Sequence, residues 1–355
     1  MLGLSQDGID PRDPRLFLHD IDLSTGRAGF VRTGRAADRS APFLDDRWRA
    51  PDRADATVSL AQLPAAGDPW PRINFIWHTS FCASTLLATC LDTPGRCVAL
   101  KEPRVLVLLA AMKRSGRHDR GLARAVFGLL GRRFDPDEQI LIKPSNGANA
   151  LIAEAADLTQ GRMLLLYSDC ESFVLSMARQ GRAGFAYVRD LFRSLAADGH
   201  HPAARWPAAE LLRLTDLELA ALVWHMQMDA MEAASARLGD RARSLDCRAL
   251  LEDPATVLPL VDDFFGLGLG RELLGEVAAG PLFRRDAKRP GQAFDSRARD
   301  QERAQLRAYL SADLPGVLKS MEEAFPRPPR LASPLAVAAP KRSRPSEADV
   351  AAPAA

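Results

Sequence analysis

The chain has 355 residues, a formal net charge of +2, and 47% hydrophobic and 26% charged residues. This length fits one large α/β domain or two smaller ones, and the composition is that of a globular protein. Because the net charge is close to zero, we expect no nucleic-acid partner. The sequence lacks both a signal-peptide pattern and a run of about 18 apolar residues, so we predict a cytoplasmic protein without a membrane partner.

The cysteines indicate reduced thiols. There are five of them, an odd number, and no pair has the CxxC spacing: Cys82, Cys90, Cys97, Cys170 and Cys247. A disulfide framework or a zinc site requires paired or closely spaced cysteines. We therefore predict neither disulfides nor a bound metal.

The first 70 residues are polar and rich in Arg, Asp and Pro. Within them, AGFVRT and ATVSLAQL have the composition of short strands. We interpret residues 1–70 as an N-terminal extension that packs on the core of the protein.

A different pattern begins at residue 73. Short apolar runs alternate with helical segments, and they are INFIW (73–77), CVAL (97–100), QILI (139–142), MLLLY (163–167) and the weaker RSLDC (243–247). Continuous apolar runs between helices are typical of a buried parallel sheet. We therefore predict an α/β fold over residues 71–325.

Several helices are expected between and after these strands. They cover PRVLVLLAAMKR, GLARAVFGLLGRRF, ANALIAEAADL, residues 208–238 as one long helix or a helix pair, and DPATVLPLVDDFFGLGL. The last should begin after Asp253, a capping residue followed by proline, and end at Gly266. Residues 326–355 are dominated by Pro, Ala and Ser, which predicts a disordered tail.

Polar side chains follow each predicted strand. The first strand is followed by HTSFCAST, the second by KEPR, the third by KPSNG and the fourth by SDCES. Ligands of parallel α/β sheets bind at the carboxyl ends of the strands, and a loop that enters a helix N-terminus is an anion site. We expect Ser84 and Thr85 to cap that helix or to bind phosphate oxygens.

Ordinary structural interpretations compete with these assignments. Serine and threonine before a helix are often simple caps, and Lys101 fits a surface lysine paired with Glu102. His78 is more typical of a satisfied polar residue than of a catalyst. Cys82 is either a reactive thiol at a helix N-terminus or an ordinary buried cysteine.

The strand-end motifs resemble a known family. FIWHTSFCASTLLATCLD followed by LKEPRVL resembles the 5′-phosphosulfate loop of the P-loop sulfotransferases, especially divergent bacterial sulfotransferase-like proteins with a TSFC-x-STLL loop. LLLYSDCESFVLSMARQGR resembles the next landmark of that family, and CRALLEDPATVLPLVDDFFGLGL is similar to its late strand and D-P helix. The resemblance covers roughly residues 72–269 and depends on the order and spacing of these landmarks.

The resemblance implies a three-layer αβα P-loop-type parallel sheet with helical insertions. It also implies a nucleotide donor, 3′-phosphoadenosine 5′-phosphosulfate, as co-substrate, and transfer of a sulfuryl group to a hydroxyl or amine of a small-molecule acceptor. Glu102 would be the general base, with an ion pair to Arg104 or Lys101 as the alternative interpretation, and Lys101 would be a catalytic cation. The donor would be bound by these residues: Thr79, Ser80, Cys82, Ala83, Ser84, Thr85, Arg104, Lys143 and Ser176.

Two positions depart from the family pattern. Phe81 stands where many members carry a lysine or arginine, and Ser168 where an arginine often binds the 3′-phosphate. Charge would then come from Lys101, Arg104 or Lys143, and at the 3′-phosphate from a different set: Arg179, Arg182, Lys288 and Arg289. A non-catalytic sulfotransferase-fold binding protein is one alternative.

A P-loop small-molecule kinase is a second alternative, although the loop lacks the GxxxxGK[ST] pattern. We expect acceptor specificity to come from residues 115–135 and 182–207. The sequence does not predict an oligomeric state.

Overall fold

The N-terminal region forms a small antiparallel sheet. The computed structural model describes residues 9–49, 54–64, 71–284, 296–326, 331 and 334–335. Strands β1 (Leu16–Asp22), β2 (Arg27–Arg32) and β3 (Ala56–Ser59) pair in the order β1-β2-β3. The sequence predicts β2 and β3 but not β1, whose successive residues Leu16, Phe17 and Leu18 are all buried and therefore show no alternation.

A five-stranded parallel sheet forms the centre of the protein. Its strands are β4 (Ile73–His78), β5 (Cys97–Lys101), β6 (Gln139–Lys143), β7 (Met163–Tyr167) and β8 (Ala242–Asp246). Their order is β5-β6-β4-β7-β8, and every pairing is parallel. This confirms the predicted α/β class and all five predicted strands.

Helices precede, connect and follow the strands of this sheet. In chain order they are α1 (Arg35–Ser40), α2 (Ser84–Leu91), α3 (Arg104–Arg114), α4 (Arg120–Leu130), α5 (Ile152–Leu158), α6 (Cys170–Arg179), α7 (Gly181–Asp198), α8 (Ala208–Leu211), α9 (Asp216–Leu238), α10 (Cys247–Glu252), α11 (Pro254–Phe265), α12 (Arg271–Ala279), α13 (Ser296–Tyr309) and α14 (Leu314–Ala324). Residues 208–238 thus form a helix pair, the second of the two predicted arrangements. Asp253 accepts a hydrogen bond from the backbone N–H of Thr256, and Gly266 ends α11 with φ 67°, as predicted.

Alternating side chains of β4 separate two cores, so the sheet is the middle of three layers. Phe75 and Trp77 lie in one core with α3, α4, α5 and the N-terminal sheet. Ile76 lies in the other with α2, α10, α11 and α12. A third core joins α6, α7, α9 and α14, which are helical insertions relative to a simple alternation of strands and helices.

The predicted disordered tail lies mostly outside the described residues. Within the described part, Pro334 forms a parallel bridge with Ser244 of β8. The backbone N–H of Leu335 donates to the Ser244 carbonyl at 2.8 Å. Over the described ranges, no helix combines the length and the hydrophobicity needed to cross a membrane.

Candidate active site

The loop between β4 and α2 has a left-handed backbone without glycine. Ser80 has φ 72°, Phe81 φ 52° and Ala83 φ 59°. The left-handed conformation costs an L-residue about 1–2 kcal/mol, and such strain concentrates at functional sites. From β4 the chain continues to β5, at one edge of the sheet, and from β7 it continues to β8, at the other edge. The direction of the connections therefore reverses between the neighbouring strands β4 and β7. The loop therefore lies where ligands of α/β sheets bind.

The start of α2 has the features of an anion site. Its cap residue is Ala83, which provides no side-chain cap, so the prediction that Ser84 or Thr85 caps the helix is wrong. Among the described residues, the backbone N–H groups of Ala83, Ser84 and Thr85 make no hydrogen bond. The hydroxyls of Thr79 and Thr85 are buried and have no partner there either. These donors and the positive end of the helix dipole fit a bound phosphate.

His78 connects the loop to its neighbours by hydrogen bonds. Its Nδ1 accepts a hydrogen bond from the Ser80 backbone N–H at 3.0 Å, and its Nε2 donates to the Pro144 carbonyl at 2.8 Å. The His78 carbonyl accepts from Asn149 Nδ2 at 3.1 Å. His78 is therefore a structural residue with the proton on Nε2. Cys82 is fully buried, which favours the ordinary interpretation of that cysteine.

A cavity of about 270 Å³ adjoins the loop. Its wall includes Ser80 and Phe81 from the loop and Glu102 from the turn after β5. Tyr187 of α7 and Arg47 from the N-terminal region also line it. The candidate base and the candidate anion loop thus face one space large enough for part of a small molecule.

Glu102 is held by two cations. It has φ 53°, and its carboxylate forms ion pairs with Lys143 and with the Arg47 guanidinium, the latter at 3.0 Å. The sequence suggested an ion pair with Arg104 or Lys101 as the alternative to catalysis. The pairs exist, but with different partners.

The other two predicted cations lie elsewhere. The Lys101 ammonium donates to the Arg39 carbonyl at 2.9 Å, and burial lowers the pKa of Lys101. Arg104 pairs with Asp20 and Asp46 of the N-terminal region. None of the three predicted cations lines the cavity, and Lys143 is the one that forms an ion pair with Glu102.

The end of β7 carries the residues proposed for the 3′-phosphate. The Ser168 hydroxyl is buried and has no partner among the described residues, while the Ser168 carbonyl accepts from Trp224 Nε1 at 2.7 Å. The Ser176 hydroxyl donates to the Ser172 carbonyl at 2.8 Å. Arg179 pairs with Glu302 at 3.3 Å.

Sequence reasoning missed the arginines near this strand end. Arg303 donates to the Ser172 hydroxyl at 2.6 Å, and Arg248 pairs with Asp169, the cap of α6, at 3.0 Å. Both arginines are far from β7 along the chain, so no local pattern connects them with that strand. The arginine-rich composition of α13 is the only local signal. The candidates Lys288 and Arg289 lie outside the described residues.

The N-terminal region also contributes to the site, which the sequence did not predict. Leu44 pairs with the turn after β5, its N–H donating to the Lys101 carbonyl at 2.7 Å and its carbonyl accepting from the Arg104 N–H at 3.0 Å. The Arg47 guanidinium lies 3.5 Å from the centre of the Phe43 ring. Of the two expected acceptor regions, 182–207 contributes Ala183, Gly184 and Tyr187 to the cavity wall, and 115–135 contributes no residue to it.

No protein-family model matches the sequence, and neither does any curated protein. Structural similarity is found to a sulfotransferase domain from the curacin biosynthetic pathway, with a TM-score of 0.43, 15% identity and coverage of 68% of this chain and 98% of that one. It is also found to a sulfotransferase domain from the Synechococcus PCC 7002 olefin synthase, with a TM-score of 0.39, 15% identity and coverage of 71% and 98%. At these scores neither similarity carries an argument about activity.

Proposed function

We propose that this protein is a sulfotransferase-like enzyme. In this proposal it uses 3′-phosphoadenosine 5′-phosphosulfate to sulfate a hydroxyl or amine of a small molecule. The observation that carries the proposal is that Ser80 and Phe81, the first left-handed residues of the anion loop, line the same cavity as a carboxylate, Glu102. Transfer of a sulfuryl group requires a site for the phosphate leaving group and a base for the acceptor proton, and this arrangement offers both.

Each part of the site has a role in this reaction. The N–H groups of residues 83–85 and the hydroxyls of Thr79 and Thr85 would hold the 5′-phosphate, while Cys82 fills the space under the loop. Lys143 would balance negative charge that develops beside Glu102. The donor, when bound, supplies the sulfuryl group and the phosphate leaving group.

The proton and bond changes balance within this site. The acceptor oxygen or nitrogen forms a bond to sulfur as the bond from sulfur to the 5′-phosphate oxygen breaks. Glu102 takes the acceptor proton, and its two cations hold the carboxylate at the cavity wall. No metal is required in this scheme.

The remaining predicted residues receive supporting roles. Lys101 would hold α1 through the Arg39 carbonyl, and Arg104 would anchor the turn that carries Glu102. Ser176, together with Arg303 near its helix, would face the 3′-phosphate. In this proposal these residues position the site rather than take part in bond making.

One observation favours a second candidate, a non-catalytic binding protein. Each of Lys101, Arg104 and Lys143 already has a protein partner, and Phe81 and Ser168 provide no charge. A protein that binds the nucleotide without turnover would retain the loop and tolerate such pairing.

Calorimetry with 3′-phosphoadenosine 5′-phosphate tests the proposal. We expect micromolar binding that is lost in a Ser84→Ala/Thr85→Ala double variant and kept in Ser311→Ala, a change at an exposed serine outside the site. Absence of binding at millimolar ligand to the folded protein contradicts the proposed function. Binding of ATP with magnesium instead indicates a kinase.

A further inference from the structure

A chain of side-chain hydrogen bonds connects the anion loop to the helical insertion. The Ser80 hydroxyl lies 2.7 Å from the Tyr187 hydroxyl, which donates to Asn146 Oδ1 at 2.6 Å. Asn146 Nδ2 donates to Gln227 Oε1 at 2.9 Å, and Gln227 Nε2 donates to the Val223 carbonyl at 3.3 Å. Asn146 and Gln227 are buried, so the chain ends in the interior on α9.

We propose that Tyr187 is a positioning residue that holds the glycine-free anion loop in its left-handed conformation through Ser80. The nature of the anion rests on the proposed function, but the restraint on the loop does not. Tyr187 contacts both strained residues at the start of the loop. Its hydroxyl bonds Ser80, and its ring meets the Phe81 ring edge to face at 6.4 Å.

The direction of the chain follows from the number of protons. A phenol has one proton, and Tyr187 gives it to Asn146, so the Ser80 hydroxyl must donate to Tyr187. Burial raises the pKa of Tyr187 to about 12, which keeps the phenol protonated at neutral pH. Ser80 then presents only lone pairs to an anion. Its side chain therefore fixes the shape of the loop, and the backbone N–H groups do the binding.

The energetics make such a restraint necessary. Glycine adopts a left-handed φ freely, whereas Ser80 and Phe81 are strained in that region because the Cβ atom of each crowds the backbone. The hydrogen bond from Ser80 to Tyr187 and the packing of the Phe81 ring against Tyr187 both oppose that strain. Loss of this restraint should therefore let the loop leave the left-handed conformation more often.

Cys82 allows the restraint to be measured without any ligand. Its thiol is fully buried between the left-handed residues Phe81 and Ala83, so it reacts only when the loop opens. In Tyr187→Phe we expect iodoacetamide to alkylate Cys82 about tenfold faster than in the wild type, as quantified by peptide mass spectrometry. Tyr309→Phe, at an exposed tyrosine on α13, is the matched control and should leave the rate unchanged.

Two further variants make the result specific. Ser80→Ala removes only the hydroxyl and should raise the Cys82 rate as much as Tyr187→Phe does, which also serves if the tyrosine variant does not fold. Ser80→Gly removes the strain at residue 80 together with the hydroxyl that bonds Tyr187, so adding Tyr187→Phe in that background should change the rate less than twofold. A merely structural tyrosine would have the same effect in both backgrounds.

The outcomes separate this inference from the proposed function. An unchanged Cys82 rate in Tyr187→Phe overturns the inference, and so does a parallel increase at buried Cys90 and Cys97, which indicates global loosening. Binding of 3′-phosphoadenosine 5′-phosphate should weaken about tenfold in Tyr187→Phe. Faster alkylation together with no nucleotide binding by the wild type overturns the proposed function and leaves the inference intact.

Discussion

Lys101 and Lys143 are direct neighbours in the register of β5 and β6, yet their ammonium groups have different partners. Lys143 pairs with Glu102 beside the cavity, whereas Lys101, on the edge strand, donates to the Arg39 carbonyl of α1. The two lysines therefore have different roles although they lie on adjacent strands. Lys143 is a cation at the candidate site, and Lys101 holds the covering helix α1.

The two lysines should respond differently to an isosteric apolar substitution. We expect Lys143→Met to lower turnover about 100-fold, because positioned charge supplies much of the stabilisation in group transfer. Lys101→Met should lower turnover by about tenfold or less, because the Lys101 ammonium donates to a carbonyl of α1. Steady-state kinetics of both variants decides, and an equal loss in both would contradict the assignment of Lys143.

Glu102→Gln tests the base. The glutamine keeps the size of the side chain but cannot accept the acceptor proton, so turnover should fall about 10²-fold or more while nucleotide binding changes less than about threefold. Activity assays and calorimetry on the same preparation measure both quantities. Glu322→Gln, at an exposed glutamate on α14, is the control. Loss of nucleotide binding together with turnover would make Glu102 a structural residue.

Arg47→Ala tests the contribution of the N-terminal region to the cavity. The Arg47 side chain is 57% exposed and lines the cavity beside Glu102. Exposed ion pairs contribute about 0–1 kcal/mol to stability, so the variant should fold normally. We expect KM for the acceptor to rise about tenfold with kcat changed less than threefold, and no such change in Arg49→Ala. An unchanged KM would place the acceptor elsewhere.

A buried histidine pair should make stability depend on pH. His201 Nδ1 accepts from the Ala203 N–H, so its Nε2 donates to His225 Nδ1 at 3.2 Å, and His225 Nε2 has no partner among the described residues. The Phe325 ring packs against both imidazoles, with ring centres 4.7 Å from that of His201 and 4.6 Å from that of His225. Burial lowers the pKa of His201 and of His225 to about 4.

The sign of the effect follows from the protons bound. Between about pH 6.5 and pH 4 the unfolded chain protonates these histidines and the folded chain does not, so the free energy of unfolding falls as the pH falls. Each of these two pKa shifts corresponds to about 3 kcal/mol, so urea denaturation should show a loss of at least that size from the pair across this window. His201→Gln/His225→Gln should remove the loss and His200→Gln should not. A flat wild-type profile would contradict the prediction.

Gly161 tests the packing beneath the sheet. A Cβ on Gly161 would lie 1.6 Å from the Ile73 carbonyl oxygen at the start of β4, so the backbone would have to move. We expect Gly161→Ala to lower the free energy of unfolding by about 3 kcal/mol or more. Gly275→Ala, on α12 with open space around it, should be neutral or stabilise by up to about 1 kcal/mol. Chemical denaturation compares the two variants, and equal effects would contradict the close contact.

The parallel sheet and the position of the loop follow from local patterns in the sequence. Buried strands such as β4 are continuous apolar runs, and the change to helical spacing after Ala83 marks the start of α2. The cap at Asp253 and the helix end at Gly266 are equally local. These features depend on neighbours a few residues away, so a linear pattern reports them.

Contacts between distant side chains, in contrast, depend on the tertiary structure. Arg47 reaches Glu102 across 55 positions, and Tyr187 reaches Ser80 across 107. Neither partner is distinguished by local spacing, because an ion pair or hydrogen bond depends on where packing brings two chain segments. For the same reason, three cations that are equivalent in the sequence differ in the structure. Lys143 lies beside Glu102, whereas Lys101 and Arg104 hold the N-terminal region.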